Sequence, residues 1–540
     1  MKKSFFLRSL ALFLSLPLLV TAQAPPRPKL ILALTVDQFR YDYLVRFRDQ
    51  YTGGLARLLN HGAVFTNAYY NHFPTVTAIG HSTFLSGATP SVSGIIGNSW
   101  YDRQSEKSVT SVSDGSVKML GGSSRGAGGD AASPRRMLVS TLGDELKMAG
   151  RDSKVIGISV KDRSAILPAG HMADGAFWFD PSSGNFVSST HYFKELPAWV
   201  NDFNKSRHAD RFLGAEWTPL EGGSPYKKLS STPDNAFYTS LEGSPHGNEL
   251  VAAFARAAML GERLGRRNTT DLLAVSFSAN DYIGHDLGPD APQVRDVSIR
   301  TDKMLGELFS FLDAQIGMKN VLVVLTADHG VAPLPEVNQQ RRMPGGRVLE
   351  KNLSARVEER LKEKYGEGQW IAGRTGASFY LNEQLIRQKG LNHAEVAEMA
   401  AATARAIPNV FRSYTREQLA RGSVPGDPID RRVLNGFFYQ RAPDVTVIAD
   451  PYYLFEAKGT SHGMPFGYDS HIPLILMGEQ IRPGRYHALV RPNDIAPTLA
   501  TLLEVETPSG SVGRALDEIF VPEKPAPNAP PAKRAPASRP

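Results

Sequence analysis

Lys29–Val36 reads KLILALTV and runs straight into Asp37. The run is apolar, partly β-branched and bounded by polar residues, which is the pattern of a strand buried on both faces. Two later segments repeat it. Asp271–Ser278 (DLLAVSFS) is followed by Asp281 and, four residues on, His285. Asn320–Thr326 (NVLVVLT) is followed by Asp328-His329. Further strands are expected at Val64–Tyr70, Lys154–Val160, Pro443–Ile448 and Ile472–Met477. Helical patterns lie between them, at about Tyr41–Leu59, Ala78–Leu85, Leu138–Met148, Leu250–Leu264, Gln293–Gln315, 353–364, 394–406 and Asn493–Leu503. Strands alternating with helices specify an α/β fold with a mostly parallel sheet flanked by helices. In such sheets ligands sit beyond the carboxyl ends of the strands.

The composition permits this architecture. The chain has 540 residues, 41% hydrophobic and 21% charged, which excludes a disordered or collagen-like chain. Cysteine is absent, so disulfides, a thiolate nucleophile and thiolate-bound metal are excluded. The net charge of +7 suggests a nucleic-acid partner until it is located. Residues 1–22 carry +3 and residues 521–540 another +3, which leaves +1 for everything between. The folded body is nearly neutral, and a polyanionic partner is not expected.

Residues 1–22 read as a signal peptide: Lys2 and Lys3, an apolar stretch from Leu10 to Val20, and small residues ending at Ala22. The protein is therefore expected to be exported, periplasmic or secreted, with no stable membrane insertion. Residues 521–540 hold seven prolines and read as a solvated, polyproline-like tail. The body, 23–520, is expected to be one catalytic domain with insertions at about 171–245 and 340–445; the first, aromatic and rich in breakers with a hairpin-like FWFDPSSGNF, is expected to lie outside the core. Residues 111–136 are rich in Gly and Ser and read as a loop excursion.

The chemistry gathers at the strand ends. One Asp after a strand is commonplace. Asp37, Asp281, His285, Asp328, His329 and His462 (in GTSHG), all at equivalent ends, would converge on one rim. Carboxylate oxygen and neutral imidazole suit Zn²⁺ when thiolate is unavailable. Six ligands are enough for two ions, an arrangement that favours in-line displacement at phosphorus. A hydroxyl in His72–His81 (HFPTVTAIGH) would sit between a strand and a helix N-terminus, where an anionic phosphoryl group is favoured. Thr77 and Thr75 compete for that role, and spacing alone does not separate them. Gly80-His81-Ser82-Thr83-Phe84 begins like a serine-hydrolase elbow but has Phe84 where a glycine is needed. Asp162, Asp174 and Asp180 could ligate Ca²⁺, yet nothing there has the spacing of a calcium loop, and they read as solvated.

These residues resemble the alkaline phosphatase superfamily, specifically the secreted bacterial phosphate-irrepressible alkaline phosphatases with a threonine nucleophile. They are similar, more loosely, to nucleotide pyrophosphatase/phosphodiesterases. The segments that carry the resemblance are VDQFRYDYL at Asp37, PTVTAIGHSTFLSGATPSVSGIIGNSWYD, ISVKDR, SANDYIGHDLGP, TADHG, SHGMPFGYD and NDIAPTLATLL, over about residues 29–505. The resemblance implies a three-layer sandwich with inserted cap regions, two zinc ions per chain and a monomer. It places Asp281, His285 and His462 on one zinc, and Asp37, Asp328, His329 and the Thr77 oxygen on the other. It prefers Thr77 because the family's nucleophile lies four residues before the residue matching His81. Thr77 would form a phosphothreonine, which water on the first zinc would hydrolyse. Asn98 would bond a phosphoryl oxygen, and Lys161 and Arg163 would neutralise the dianion of a monoester. Diesterases of the superfamily generally lack that pair, so small phosphate monoesters are the expected substrates and phosphodiesters the alternative. A third, magnesium site has no matching ligands. Cysteine is absent and Ser133-Pro134-Arg135 has the wrong spacing for a sulfatase.

Overall fold

The computed structural model describes residues 27–122 and 131–521; the signal sequence and almost all of the tail lie outside the described residues. Its centre is a ten-stranded sheet built from β1 (Leu30–Val36), β2 (Ala63–Ala68), β3 (Met119–Leu120), β4 (Val155–Ser159), β5 (Gly175–Asp180), β6 (Asn185–Ser189), β7 (Asp271–Phe277), β8 (Val321–Thr326), β9 (Leu474–Met477) and β10 (Gly484–Val490). The strand order is β10-β2-β9-β8-β1-β7-β4-β5-β6-β3. The run β8-β1-β7-β4-β5 is parallel, as is β2 with β10; β9 runs against both of its neighbours, and β6 and β3 close the far edge antiparallel.

Every residue of β1, β7 and β8 is buried. That follows from their apolar sequence, each large side chain contributing about 1.5–3 kcal/mol when it leaves water. Leu30 lies opposite both Asp271 and Val321, and Val36 opposite Phe277. The three strands therefore end level, and the residues after them share one rim. Helices such as Pro245–Gly261 and Pro292–Ile316 pack through apolar faces against the sheet core.

Three expectations are corrected. The helix expected over Tyr41–Leu59 is two helices, Tyr41–Arg46 and Gly54–His61, with a 3₁₀ turn between. A side chain at Gly53 or Gly54 would collide with the backbone of Asp302 or with Leu305, and the Asp302 carboxylate accepts the N–H groups of Thr52, Gly53, Leu55 and Ala56. A side chain far along the chain thus caps a new helix where local pattern suggested continuity.

The hairpin at FWFDPSSGNF forms, but it belongs to the core. β5 pairs in parallel with β4, and Phe177 and Phe186 are fully buried, Phe186 stacked on Phe254 at 3.8 Å. The aromatic residues cover both faces of the strand and extend the sheet. The 111–136 excursion also returns to structure: Ser113–Asp114 pairs with Ala131–Ala132, and Met119–Leu120 pairs with β6.

Residues 340–445 contribute to a separate four-stranded sheet, in the order Ile371–Thr375, Ser378–Leu381, Val445–Ala449, Val410–Thr415, with its own core around Trp370, Phe379 and Val396. The helix Pro428–Gly436 ties this part to the segment before Thr77: Phe73 N–H donates to the Arg432 carbonyl, and a side chain at Gly436 would strike the Phe73 carbonyl.

Candidate active site and metal centre

The level strand ends bring five of the seven expected metal ligands to the rim directly, the helix that begins at Thr77 brings a sixth, and the loop before β9 adds His462. Asp37, Asp328 and His329 are fully buried or nearly so, and Asp281 is 4% exposed. Asp281 and His285 stand on one face of the helix Ala279–Leu287, four residues apart, with His285 Nε2 3.2 Å from Asp281 Oδ1. His462 Nε2 lies 3.9 Å from the same oxygen. His329 Nε2 lies 3.5 Å from Asp37 Oδ1 and 3.3 Å from Asp328 Oδ2. His329 thus stands between two sets, its ring stacked on His462 at 3.4 Å: Asp37 and Asp328 on one side, Asp281 and His462 on the other.

The three imidazoles share one orientation device. Nδ1 of His285 faces the Thr460 carbonyl at 2.9 Å, Nδ1 of His329 faces the Gly330 carbonyl at 2.9 Å, and Nδ1 of His462 faces the Thr75 carbonyl at 2.8 Å. A carbonyl only accepts, so each Nδ1 carries a proton and Nε2 is the nitrogen that faces the carboxylates. On His329 and His462, whose rings are held neutral, the Nε2 lone pair then points at carboxylate oxygens, which repel it unless a cation lies between. Metal-binding histidines are held in this way. Asp37 Oδ1 and Asp328 Oδ2 are buried without a hydrogen-bond partner, which also fits a cation.

The electrostatics divide the three histidines: burial opposes charge on His285, but the Asp281 carboxylate outweighs it and raises the ring to about 9, while the other two are lowered. Asp37 is pushed up to about 7 by burial, reinforced by the Asp281 and Asp328 carboxylates. His329 is pushed down to about 4 by burial, and His462 falls well below its ordinary range through burial and the neighbouring His329 and His285 rings. Burial opposes charge on Lys161, yet Asp281 and Asp37 outweigh it and hold the ammonium protonated. Lys161 Nζ donates to Asp37 Oδ2 and to Asp281 Oδ2, both at 2.6 Å. Lys161 was expected to face a phosphoryl group; in the structure its charge lies between two of the expected metal ligands. Asp, neutral His and hydroxyl donors at these separations fit zinc.

Thr77 is the first residue of the helix Thr77–Ser86, and its Oγ1 is 3.4 Å from His329 Nε2. Thr75 is a poorer nucleophile here: its hydroxyl donates to the Met464 carbonyl at 3.0 Å. Asn98 Oδ1 accepts the Ala78 N–H at 2.8 Å, which leaves the amide NH₂ to donate into the adjoining cavity. Arg163 lies in the first turn of the helix Asp162–Ala169, its Nε buried without a partner. Ser82 donates to the Ile79 carbonyl of its own helix, so no serine elbow exists. Asp174 accepts from Lys147 and from Val155 N–H, and Asp180 from Ser182 and Ser183; these groups shape turns.

Two residues were missed. Gln38, with φ of 60°, donates from its backbone to Asp328 Oδ1 at 3.1 Å and from Nε2 to Asp281 Oδ1 at 2.7 Å, so it bridges the two ligand sets. Its left-handed backbone directly after a strand gives no periodic signal. His81 faces the Thr77 carbonyl at 2.9 Å and Ser276 Oγ at 2.8 Å, and anchors the first turn of the helix Thr77–Ser86 to β7. Elsewhere Glu383, His393 and Asp444 also cluster, but Arg103 and Arg416 pair with Glu383 and Asp444 and already balance the charge.

With this geometry in hand, the comparisons are specific. The family model for type I phosphodiesterase/nucleotide pyrophosphatase matches residues 31–469. The chain is 37% identical to alkaline phosphatase PafA of Elizabethkingia meningoseptica over 526 residues, covering 92% of this chain and 95% of that one. It is 37% identical to alkaline phosphatase PhoV of Synechococcus elongatus over 536 residues, covering 93% and 94%. The crystal structure of wild-type PafA superimposes with a TM-score of 0.86 at 36% identity, covering 92% of this chain and all of that one.

Proposed function

The chain belongs to the type I phosphodiesterase/nucleotide pyrophosphatase family, and on that premise we propose that it is a zinc-dependent phosphate monoester hydrolase of broad specificity. It works through a phosphothreonine on Thr77 and releases inorganic phosphate. The observation that carries the reading is the shared orientation of His285, His329 and His462, whose Nε2 atoms face three buried carboxylates beside a threonine at a helix N-terminus. That its relatives are named alkaline phosphatases supports the monoester class.

Asp281, His285 and His462 would hold one zinc, and Asp37, Asp328, His329 and the Thr77 oxygen the other. When bound, the two ions supply Lewis-acid stabilisation of the attacking and leaving oxygens. The chain's own groups do the rest. Thr77 Oγ1 attacks phosphorus, the ester oxygen departs with the alcohol, and the phosphoryl group is carried on the threonine until water releases it as phosphate. The Asn98 amide, oriented by Ala78 N–H, donates to a non-bridging phosphoryl oxygen. Lys161 leaves Asp37 and Asp281 once cations neutralise them and, with Arg163, meets the second negative charge of a monoester. The signal-peptide pattern of residues 1–22 supports an activity exported to the periplasm or the medium.

One observation favours a second reading, phosphodiester or pyrophosphate hydrolysis on the same ligands: Lys161 in the structure bonds carboxylates rather than facing a substrate position. The test is hydrolysis of p-nitrophenyl phosphate at about pH 8–9 before and after chelation, zinc being added back and bis-p-nitrophenyl phosphate run in parallel. Restored activity that favours the monoester, and falls when Lys161 and Arg163 are neutralised, is the expected result. Preference for the bis ester moves the protein to the diesterase class.

A further inference from the structure

A cavity of about 390 Å³ opens directly beside the site. Asn98, His285 and His462 are among its lining residues, whereas Asp37, Thr77, Asp281, Asp328, His329, Lys161 and Arg163 are not. It therefore lies on the His285/His462 side, where the ester oxygen of a bound substrate would depart and where the rest of the alcohol must go. One wall comes from the segment that carries Thr77, with Phe73, Val76 and Ile96. A second part of the lining comes from around the four-stranded sheet, with Leu419, Val433, Phe437 and Phe455, and Leu419, Val433 and Phe437 pack in one apolar cluster with Phe73. The two parts are fixed to each other by the contact of Gly436 with the Phe73 carbonyl.

The polar groups of this cavity give little purchase to a charged ligand. Thr375 Oγ1 spends its proton on the Ser99 carbonyl at 2.8 Å, and Ser378 Oγ accepts the Val447 N–H at 3.1 Å. Among the described residues no lysine or arginine lines the cavity, and two carboxylates, Glu350 and Glu456, do. The cation nearest to Glu350 in the structure is Arg374, at 3.8 Å in a half-exposed pair, too loose to cancel its charge.

We infer that this cavity is a leaving-group pocket that selects monoesters of uncharged, apolar alcohols, aryl and benzyl groups above all, and disfavours alcohols carrying a further phosphate or carboxylate. The inference rests on the phosphomonoesterase reading and narrows it. An apolar ring entering this cavity leaves water among Phe73, Val76, Ile96 and Phe437. A second anion at the far end would be desolvated beside Glu350 and Glu456, with no lysine or arginine among the lining residues to receive it.

The test compares methyl, benzyl and 4-carboxybenzyl phosphate with the zinc-loaded protein. The leaving alcohols are of nearly equal acidity, so kcat/KM reports the pocket rather than the chemistry of the bond. Benzyl phosphate is expected to exceed methyl phosphate by about 10- to 100-fold, the range that apolar contacts in a pocket produce. The 4-carboxybenzyl ester should lose about 10-fold against benzyl. Phe437→Ala should bring benzyl toward methyl, and the pair Glu350→Gln with Glu456→Gln should narrow the gap between benzyl and carboxybenzyl. Methyl phosphate turned over as well as benzyl, or carboxybenzyl as well as benzyl, overturns the pocket assignment and leaves the phosphatase reading intact. No turnover of any of the three overturns the phosphatase reading, and the pocket with it. The substrate series needs no variant, so it decides the matter even if the substitutions impair folding.

Discussion

Thr77 and Thr75 are two residues apart, equal as hydroxyls, and inseparable by pattern, yet their surroundings divide the work between them. Thr77 Oγ1 faces His329 Nε2, while Thr75 donates its hydroxyl to Met464 and lends its carbonyl to His462. Thr77→Ala should abolish acid-trapped phosphothreonine and steady turnover. Thr75→Ala keeps the carbonyl that orients His462 and loses one hydrogen bond, so it should retain the trapped intermediate and cost about 1 kcal/mol of stability. Intermediate formed by the Thr77 variant would reverse the assignment. Glu242 offers a second test at this scale. It is buried near Lys161 and Tyr282, and burial pushes its carboxyl up to about 8. A raised acid contributes stability fully below its unfolded value near 4.5 and loses it as pH climbs through about 8, because the unfolded chain ionises first. Glu242→Gln should therefore match the parent at pH 4 and be more stable at pH 9, by something on the order of a few kcal/mol; thermal melts at the two pH values read this directly. The acids and histidines of the rim were legible because strand-end position and residue type speak together. Glu242 and Gln38 were not, since a lone Glu in a helix and a Gln after a strand are ordinary until the fold brings them to the site.

The elements that carry the ligands were legible from hydrophobic pattern, and what the pattern missed was made by contacts between distant segments. The break between Tyr41–Arg46 and Gly54–His61 depends on Asp302, some 250 residues away, and the inclusion of β5 and β6 in the sheet depends on Phe254. The nucleophile helix shows the same dependence at closer range. A Cβ at Gly80 would lie 2.2 Å from the Asp328 carbonyl oxygen and 2.5 Å from its Cα, so glycine lets Thr77–Ser86 approach the end of β8 backbone to backbone. Gly80→Ala must push the helix or the Asp328-His329 loop aside. Overpacking of this kind costs about 1–3 kcal/mol, and moving a nucleophile by about 1 Å costs about 100-fold in rate. Gly467→Ala, a helical glycine with nothing within 4 Å of its added methyl, is the control. Equal kcat/KM and equal melting temperature for the two variants would show that the approach at Gly80 has no mechanical role.

At the scale of the whole molecule, the site is a concentration of buried negative charge that the fold does not neutralise by itself. Asp37, Asp281 and Asp328 converge at the ends of three parallel core strands, and one ammonium, Lys161, lies between two of them. Isolated buried carboxylates are costly, and breaking a buried pair by removing its cation typically costs about 3–5 kcal/mol. Cations bound to the native ligand sets and not to the unfolded chain would offset that cost by mass action, about 2.7 kcal/mol at one hundred times the dissociation constant. Chelation should accordingly lower the melting temperature, and zinc should restore it. Lys161→Met sharpens the argument. With zinc bound, the carboxylates are neutralised without the ammonium, and the substitution should disturb stability little; with zinc removed, nothing replaces it, and the fold should weaken sharply. The difference in melting temperature between zinc-loaded and chelated protein should therefore be wider for the variant than for the parent. If that difference is the same in both, the Lys161 ammonium is not balancing the charge that the metals would balance, and its bonds to Asp37 and Asp281 belong to the working enzyme as well.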